Sequence, residues 1–162
     1  MPQGSLLDLV TAAFTALEQS GLGAAARGSA WLYPLANLCH VLGATLLVGA
    51  IATFDIDVLR GARKTGAIAR AVTPVAAFGL ALQAASGIVL LAADAMPVVV
   101  NPVFQFKMAM FAVGLANIAA FRWRFGGRLY SETPLDGARA FAGLSLASWL
   151  LVLLAGRFIA YL

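Results

Sequence analysis

Four apolar stretches, Trp31–Phe54, Val72–Ala92, Val103–Trp123 and Arg139–Leu162, occupy more than half of this 162-residue chain and decide what it can become. Each reaches the roughly 20 residues that a helix needs to cross a hydrocarbon core of ~30 Å. No water is available there to satisfy backbone groups, so the spanning segments must be helices. Composition agrees: 62% of residues are hydrophobic and 11% charged, whereas a soluble domain carries about 25% charged residues. The expectation is an all-α fold, an integral membrane four-helix bundle over residues 29–162. An N-terminal interfacial amphipathic helix and its linker, residues 1–28, would precede it.

In that N-terminal arm, Ser5 followed by Asp8 resembles a capping box. Leu7, Val10, Phe14 and Leu17 recur on one helical face, and Gly21 and Gly23 are expected to end the helix. The arm is too short and interrupted to span, so it reads as a helix lying at the interface or packed on the outer end of the bundle. The first 26 residues hold no Lys or Arg, so the basic n-region of a cleavable signal peptide is missing.

Net charge is +4 and the pI about 9.8, but the distribution of the basic residues argues against nucleic acid as partner. Arg60, Arg63, Lys64 and Arg70 fall between the first two spans, and Arg122, Arg124, Arg128 and Arg139 lie around the loop between the last two. The loop around Ala93–Pro102 has none, and the N-terminal arm has only Arg27. The positive-inside rule then makes this a multi-pass protein of the bacterial inner membrane, with the basic loops in the cytoplasm and both termini periplasmic. Trp31, Tyr33 and Tyr161 fall at the outer interface, where aromatic belts belong.

At 1.5 Å rise per residue, each polar residue within a span acquires a depth. His40, the single histidine, falls just outward of the midplane. Gln83 lies near the midplane, with Ser86 a turn further out. Lys107 and Arg157 share a height roughly 9–10 Å outward of it. Asn37 stands one turn above His40, and Asn101 sits at the outer mouth. Ionisable groups inside a membrane are costly to keep there, which makes this outer cluster a candidate site. It contains two cations and no carboxylate, so a bound anion would complete it. Two plainer readings apply: His40 donating to a facing carbonyl, and Lys107 and Arg157 snorkelling to headgroups.

The inner end collects Asp55, Asp57, Arg60 and Asn117. Asp57 and Arg60 stand at i, i+3, a spacing at which side chains meet; Asp55 is the deepest acid. Gly43, Gly49, Gly79, Gly87 and Gly114 allow close helix approach. Gly43, one turn below His40, would leave room either for a flat ligand or for a neighbouring helix.

Several motifs carry a resemblance. Trp31-Leu32-Tyr33-Pro34 followed by His40-x-x-Gly43, Asn101-Pro102-x-Phe104-x-x-Lys107, and Gly156-Arg157-x-Ile159-Ala160-Tyr161 resemble a family of small bacterial inner-membrane proteins known as a domain of unknown function. That resemblance implies four helices and supplies no activity. The family favours Asp-Leu-Arg-Leu-Leu-Gly where this chain reads Asp55-Ile56-Asp57-Val58-Leu59-Arg60. A first-helix histidine followed by glycines, with a lysine early in the third helix, is also similar to HemJ-type protoporphyrinogen oxidases. Copper-resistance-D-like membrane proteins share the general layout. The HemJ-type resemblance implies a haem-associated site at His40 and Lys107.

Two functional readings follow. In the first, haem b or a related porphyrin or quinone binds in the outer half for redox or electron transfer. His40 would ligate the iron, Lys107 and Arg157 would meet the propionates, and Asn37 and Gln83 would line the site. Met110 is the intrachain candidate for a second axial ligand; otherwise the iron would be five-coordinate or share histidines across a homodimer, and a membrane redox partner is a further expectation. In the second, the chain is a small transporter or accessory subunit that binds an anion, lipid or copper ion. Cys39, His40 and Met110 are donors suited to copper, although Cys39 and His40 point about 100° apart on a helix. No P-loop, G-x-S-x-G or H-E-x-x-H motif marks a soluble-enzyme chemistry, and whether the site turns over a substrate stays open.

Overall fold

The computed structural model describes residues 6–61, 65–129 and 137–159; Ser5, Arg63, Lys64, Ala160 and Tyr161 lie outside them. The described residues form seven helices and no strand: α1 (Leu6–Glu18), α2 (Gly21–Gly28), α3 (Leu32–Leu59), α4 (Thr65–Ala93), α5 (Ala95–Val100), α6 (Pro102–Phe125) and α7 (Ala138–Phe158). Helices α3, α4, α6 and α7 are each long and apolar enough to cross a bilayer. The chain is therefore a multi-pass membrane protein built as a helical bundle.

Helices α3 and α4 overrun the apolar stretches that announce them. With 28 and 29 residues, α3 and α4 are about 42–44 Å long, well beyond a ~30 Å core. The expected second span starts at Val72, but α4 starts at Thr65 and continues through Pro74. Arg60, Arg70, Arg122, Arg124 and Arg128 gather at one end of the bundle, called here the basic end. Helix α6 starts sharply because Pro102 occupies its first position and Asn101 caps it. The Asn101 side-chain oxygen accepts from Val103 N at 2.8 Å and Phe104 N at 3.4 Å, satisfying amides that a helix start otherwise leaves open.

The opposite, capped end holds α1, α2 and α5. Here the N-terminal arm differs from a single helix ended by glycine. Helix α1 stops at Glu18, and the Ser20 hydroxyl oxygen then accepts from Gly23 N at 3.2 Å, starting α2 with Gly21 inside it. Gly23 lies so close to the main chain that a Cβ there would collide with the carbonyl oxygen of Glu18 and stand 2.7 Å from that of Ala92. Arg27 donates to the carbonyl oxygens of Ala93 at 3.1 Å, Ala92 at 3.4 Å and Glu18 at 3.0 Å. Two of these belong to the end of α4, where open carbonyls and the helix dipole favour a cation. Glu18 Oε2 accepts from Met96 N at 2.8 Å at the start of α5. The arm is thus packed on the end of the bundle, held by two charged side chains.

Helix α3 is the centre of the packing. It lies along α4 on one side and α7 on the other, and α7 in turn carries α6. Between α3 and α4 the backbones touch: a Cβ on Gly43 would stand 2.7 Å from Gln83 N, and one on Gly79 would stand 2.6 Å from Leu47 N. Such small-residue contact is how membrane helices gain dispersion energy without a hydrophobic drive between them. The fourth side is open. Among the described residues, no Cα of α4 comes within 8 Å of one in α6.

Candidate functional site

The outer cluster forms around His40. Its ring, half-buried between α3 and α4, has Nδ1 3.1 Å from the carbonyl oxygen of Gln83 and 3.2 Å from Ser86 Oγ. The Ser86 hydroxyl hydrogen is directed at Leu82 O, 2.6 Å away, so both Nδ1 neighbours are acceptors and Nδ1 carries the ring proton. Nε2 is then the lone-pair atom, and it faces the Gln83 side-chain nitrogen at 3.4 Å. Gly87 gives the ring its space, since a Cβ there would stand 3.1 Å from His40 Cε1. Gln83 is buried, and its Oε1 has no partner among the described residues.

The other expected members take different places. Lys107 is close enough for its charge to act on His40. Its ammonium lies over α7, 3.5 Å from where a Gly156 Cβ would be. Lys107 Nζ thus lies beside Gly156, the residue before Arg157. Arg157, however, is exposed and has an interaction partner, so the picture of two buried cations awaiting an anion does not describe it. Asn37 is exposed, and Met110 is half-buried on α6. Among the described residues, no three His, Cys, Asp or Glu side chains converge as a metal site.

A second place, towards the basic end, is a cavity of about 240 Å³. Its sides are α4 (Thr73 and Ala76 among others) and α6 (Asn117 and Phe121), and its floor is α3 and α7. It thus lies in the opening left where α4 and α6 do not meet. The lining is mostly apolar, with Phe54, Phe121 and Phe141 as an aromatic wall. Phe121 stacks edge-on with both others, ring centroids 5.5 and 6.1 Å apart. Five polar side chains interrupt it: Asp55, Asn117 and Ser145, all buried, the half-buried Thr73 and the exposed Arg122.

Asp55 is only 4% exposed. The Ser145 hydroxyl donates to its carboxylate, while Oδ2 is buried with no partner among the described residues. Asn117 Nδ2 donates to the carbonyl oxygen of Phe141 at 3.0 Å. Asp57 does not form the expected link to Arg60; its Oδ2 is also buried without a partner among the described residues, while Arg60 is exposed. Ser145 was not singled out from the sequence. Its signal is positional: Ala138, Ala142, Ser145, Trp149 and Val152 recur at helical spacing as the buried face of α7, and a hydroxyl on such a face needs a partner.

Compared with protein-family models, curated proteins and solved structures, the chain matches none.

Proposed function

We propose that this is an inner-membrane protein that binds a lipophilic molecule inside its bundle, admitted sideways from the bilayer through the opening between α4 and α6. One observation carries the reading: a cavity of about 240 Å³ lies in that opening, mostly apolar and aromatic, with buried polar groups at Asp55 and Ser145 on its floor and Asn117 on its side. Ligand sites of this type combine a mostly apolar lining with a few placed polar groups. The reading favours a small transporter or accessory binding subunit over a haem-based electron carrier.

Haem at His40 is the other reading, and its support is the imidazole itself. An Nδ1–H held by a main-chain carbonyl, with Nε2 free to ligate, is how metal-bound histidines are oriented. Against it, a porphyrin on Nε2 would have to displace the buried Gln83 amide. It would do so beside the point where Gly43 and Gly79 hold the α3 and α4 backbones in contact. The residues present do not make that slot, so we place no haem there. A quinone headgroup, also flat and lipophilic, needs no such displacement in the cavity.

The experiment is organic extraction of the protein purified from membranes, with its visible spectrum recorded beforehand. A lipophile present in the native protein and lost from Ala76→Phe, which fills the cavity, supports the cavity reading. A Soret band abolished by His40→Ala would overturn it in favour of haem. Orientation is part of the proposal, with the basic end in the cytoplasm. In a Cys39→Ser background, an impermeant maleimide applied to intact cells should reach Gly28→Cys and not Gly127→Cys. Both glycines are exposed with open space around them, and the reverse pattern would invert the topology.

A further inference from the structure

The cavity floor narrows what the occupant can be, and this step rests on the cavity being the binding site. Its hydrogen-bond inventory is lopsided. The Ser145 hydroxyl is already given to Asp55, and one of the two Asn117 amide hydrogens is given to Phe141 O. Among the described residues, the one buried polar atom of this lining without a partner is an acceptor, Oδ2 of Asp55. A carboxylate has no hydrogen to offer when ionised. A ligand presenting only acceptors, such as a quinone carbonyl or an ester, would set lone pairs against lone pairs. An anionic headgroup would add charge repulsion.

Charge balance narrows it further. A carboxylate buried in an apolar membrane site requires a compensating charge or proton. The lining elements supply little: α4 contributes no titratable side chain, α7 contributes Phe141 and Ser145, and α6 contributes only Arg122, which is exposed. Phe54, Phe121 and Phe141 line the same cavity, and aromatic faces attract a cation placed against them.

We propose that the cavity is a site for a lipophilic amine, bound as its ammonium with the charged nitrogen on Asp55 Oδ2 and the hydrocarbon part against the phenylalanine wall. The ammonium supplies the missing donor and the missing charge together. Its tail leaves through the opening between α4 and α6 into the lipid.

The test is equilibrium binding to the full chain in nanodiscs of zwitterionic phosphatidylcholine, using radiolabelled phenylbutylammonium and the neutral phenylbutanol of similar shape. The amine should bind saturably, one per chain, and roughly tenfold or more tighter than the alcohol, the factor that a ~1.4 kcal/mol difference gives. Asp55→Asn should remove most of that preference while leaving alcohol binding in place, and Ala76→Phe should abolish both. Equal affinity for amine and alcohol, or an Asp55→Asn protein that still prefers the amine, overturns the ammonium assignment and leaves a cavity for neutral lipophiles. Absence of binding by either probe, or binding that survives Ala76→Phe, overturns the cavity reading itself. The amine-to-alcohol ratio is measured on the unaltered protein, so it decides the question even if Asp55→Asn does not fold.

Discussion

His40 Nδ1 is tied across the α3–α4 interface to the main-chain carbonyl of Gln83, 3.1 Å away. That carbonyl belongs to the helix interior, so the imidazole adds a second donor to a group already engaged in its own helix. Interhelical hydrogen bonds of this kind contribute about 0.6 kcal/mol on average and up to ~1.7 in membrane bundles. His40→Leu should therefore cost about 1–2 kcal/mol in a reversible unfolding assay in bicelles. Ser86→Ala should couple to it in a double-mutant cycle, because Ser86 Oγ shares the same proton at 3.2 Å. Strict additivity of the two substitutions would show that Ser86 does not share the His40 proton.

The same interface holds a sharper contrast. A methyl group on Gly43 or Gly79 would meet the opposite backbone at 2.7 or 2.6 Å, whereas one on Gly49, in the same helix as Gly43, meets nothing within 4 Å. Backbone cannot swing aside as a side chain does, so Gly43→Ala and Gly79→Ala should each cost about 1–3 kcal/mol by overpacking. Gly49→Ala should be neutral or stabilising by up to ~1 kcal/mol, from the higher helix propensity of alanine. The unfolding midpoints of the three variants compare these directly; equal values would remove the close contact from the account.

How far the chain could be read in advance depends on which forces write a local signal. Hydropathy marks the four spans because each must exclude charge over a whole crossing. The ends of α3 and α4 carry no such mark, since beyond the hydrocarbon a helix continues on ordinary propensity and Thr65–Ala71 looks like loop. Gly21 and Gly23 resemble a helix terminator, yet Ser20 caps a new helix there, and Gly23 is required by its proximity to Ala92 O. That His40 donates to a facing carbonyl is legible from a lone histidine inside a span, but that the carbonyl is that of Gln83 is announced by no residue type. The cavity depends on α4 and α6 standing apart, a relation between helices that neither one encodes alone.

Arg27 illustrates a basic residue whose role is capping rather than orientation. Its guanidinium spans the carbonyls of Ala92, Ala93 and Glu18, closing the end of α4 and joining it to α1. Arg27→Ala should cost about 1 kcal/mol, the scale of a terminal cation at a helix end. Its mark should be local: faster hydrogen exchange at the amides of Ala95 and Met96, with the centre of α3 unchanged. Glu18→Gln should speed exchange at Met96 N specifically, because Glu18 Oε2 accepts from it at 2.8 Å. Uniform acceleration along the chain would mean that the cap is not a separate unit.

Trp149 offers the last test, because its indole is packed without being satisfied. It is 1% exposed, stands edge-on to Phe111 at 5.6 Å, and lies against Gly114, where a Cβ would be 3.0 Å from the ring. Its Nε1 is buried with no hydrogen-bond partner among the described residues. Trp149→Ala removes the whole side chain and should cost about 3–5 kcal/mol. Trp149→Phe removes an unsatisfied donor along with part of the ring, so the lost volume is offset by the relieved polar burial. Its cost should stay below about 2 kcal/mol, the range of moderate core changes. Trp31 and Trp123, 74% and 89% exposed, supply the optical control. With both replaced by Phe, the remaining emission should be blue-shifted and resist acrylamide. If Trp149→Phe proves as damaging as Trp149→Ala, then Nε1 has a partner, and the packing of α7 against α6 must be drawn differently.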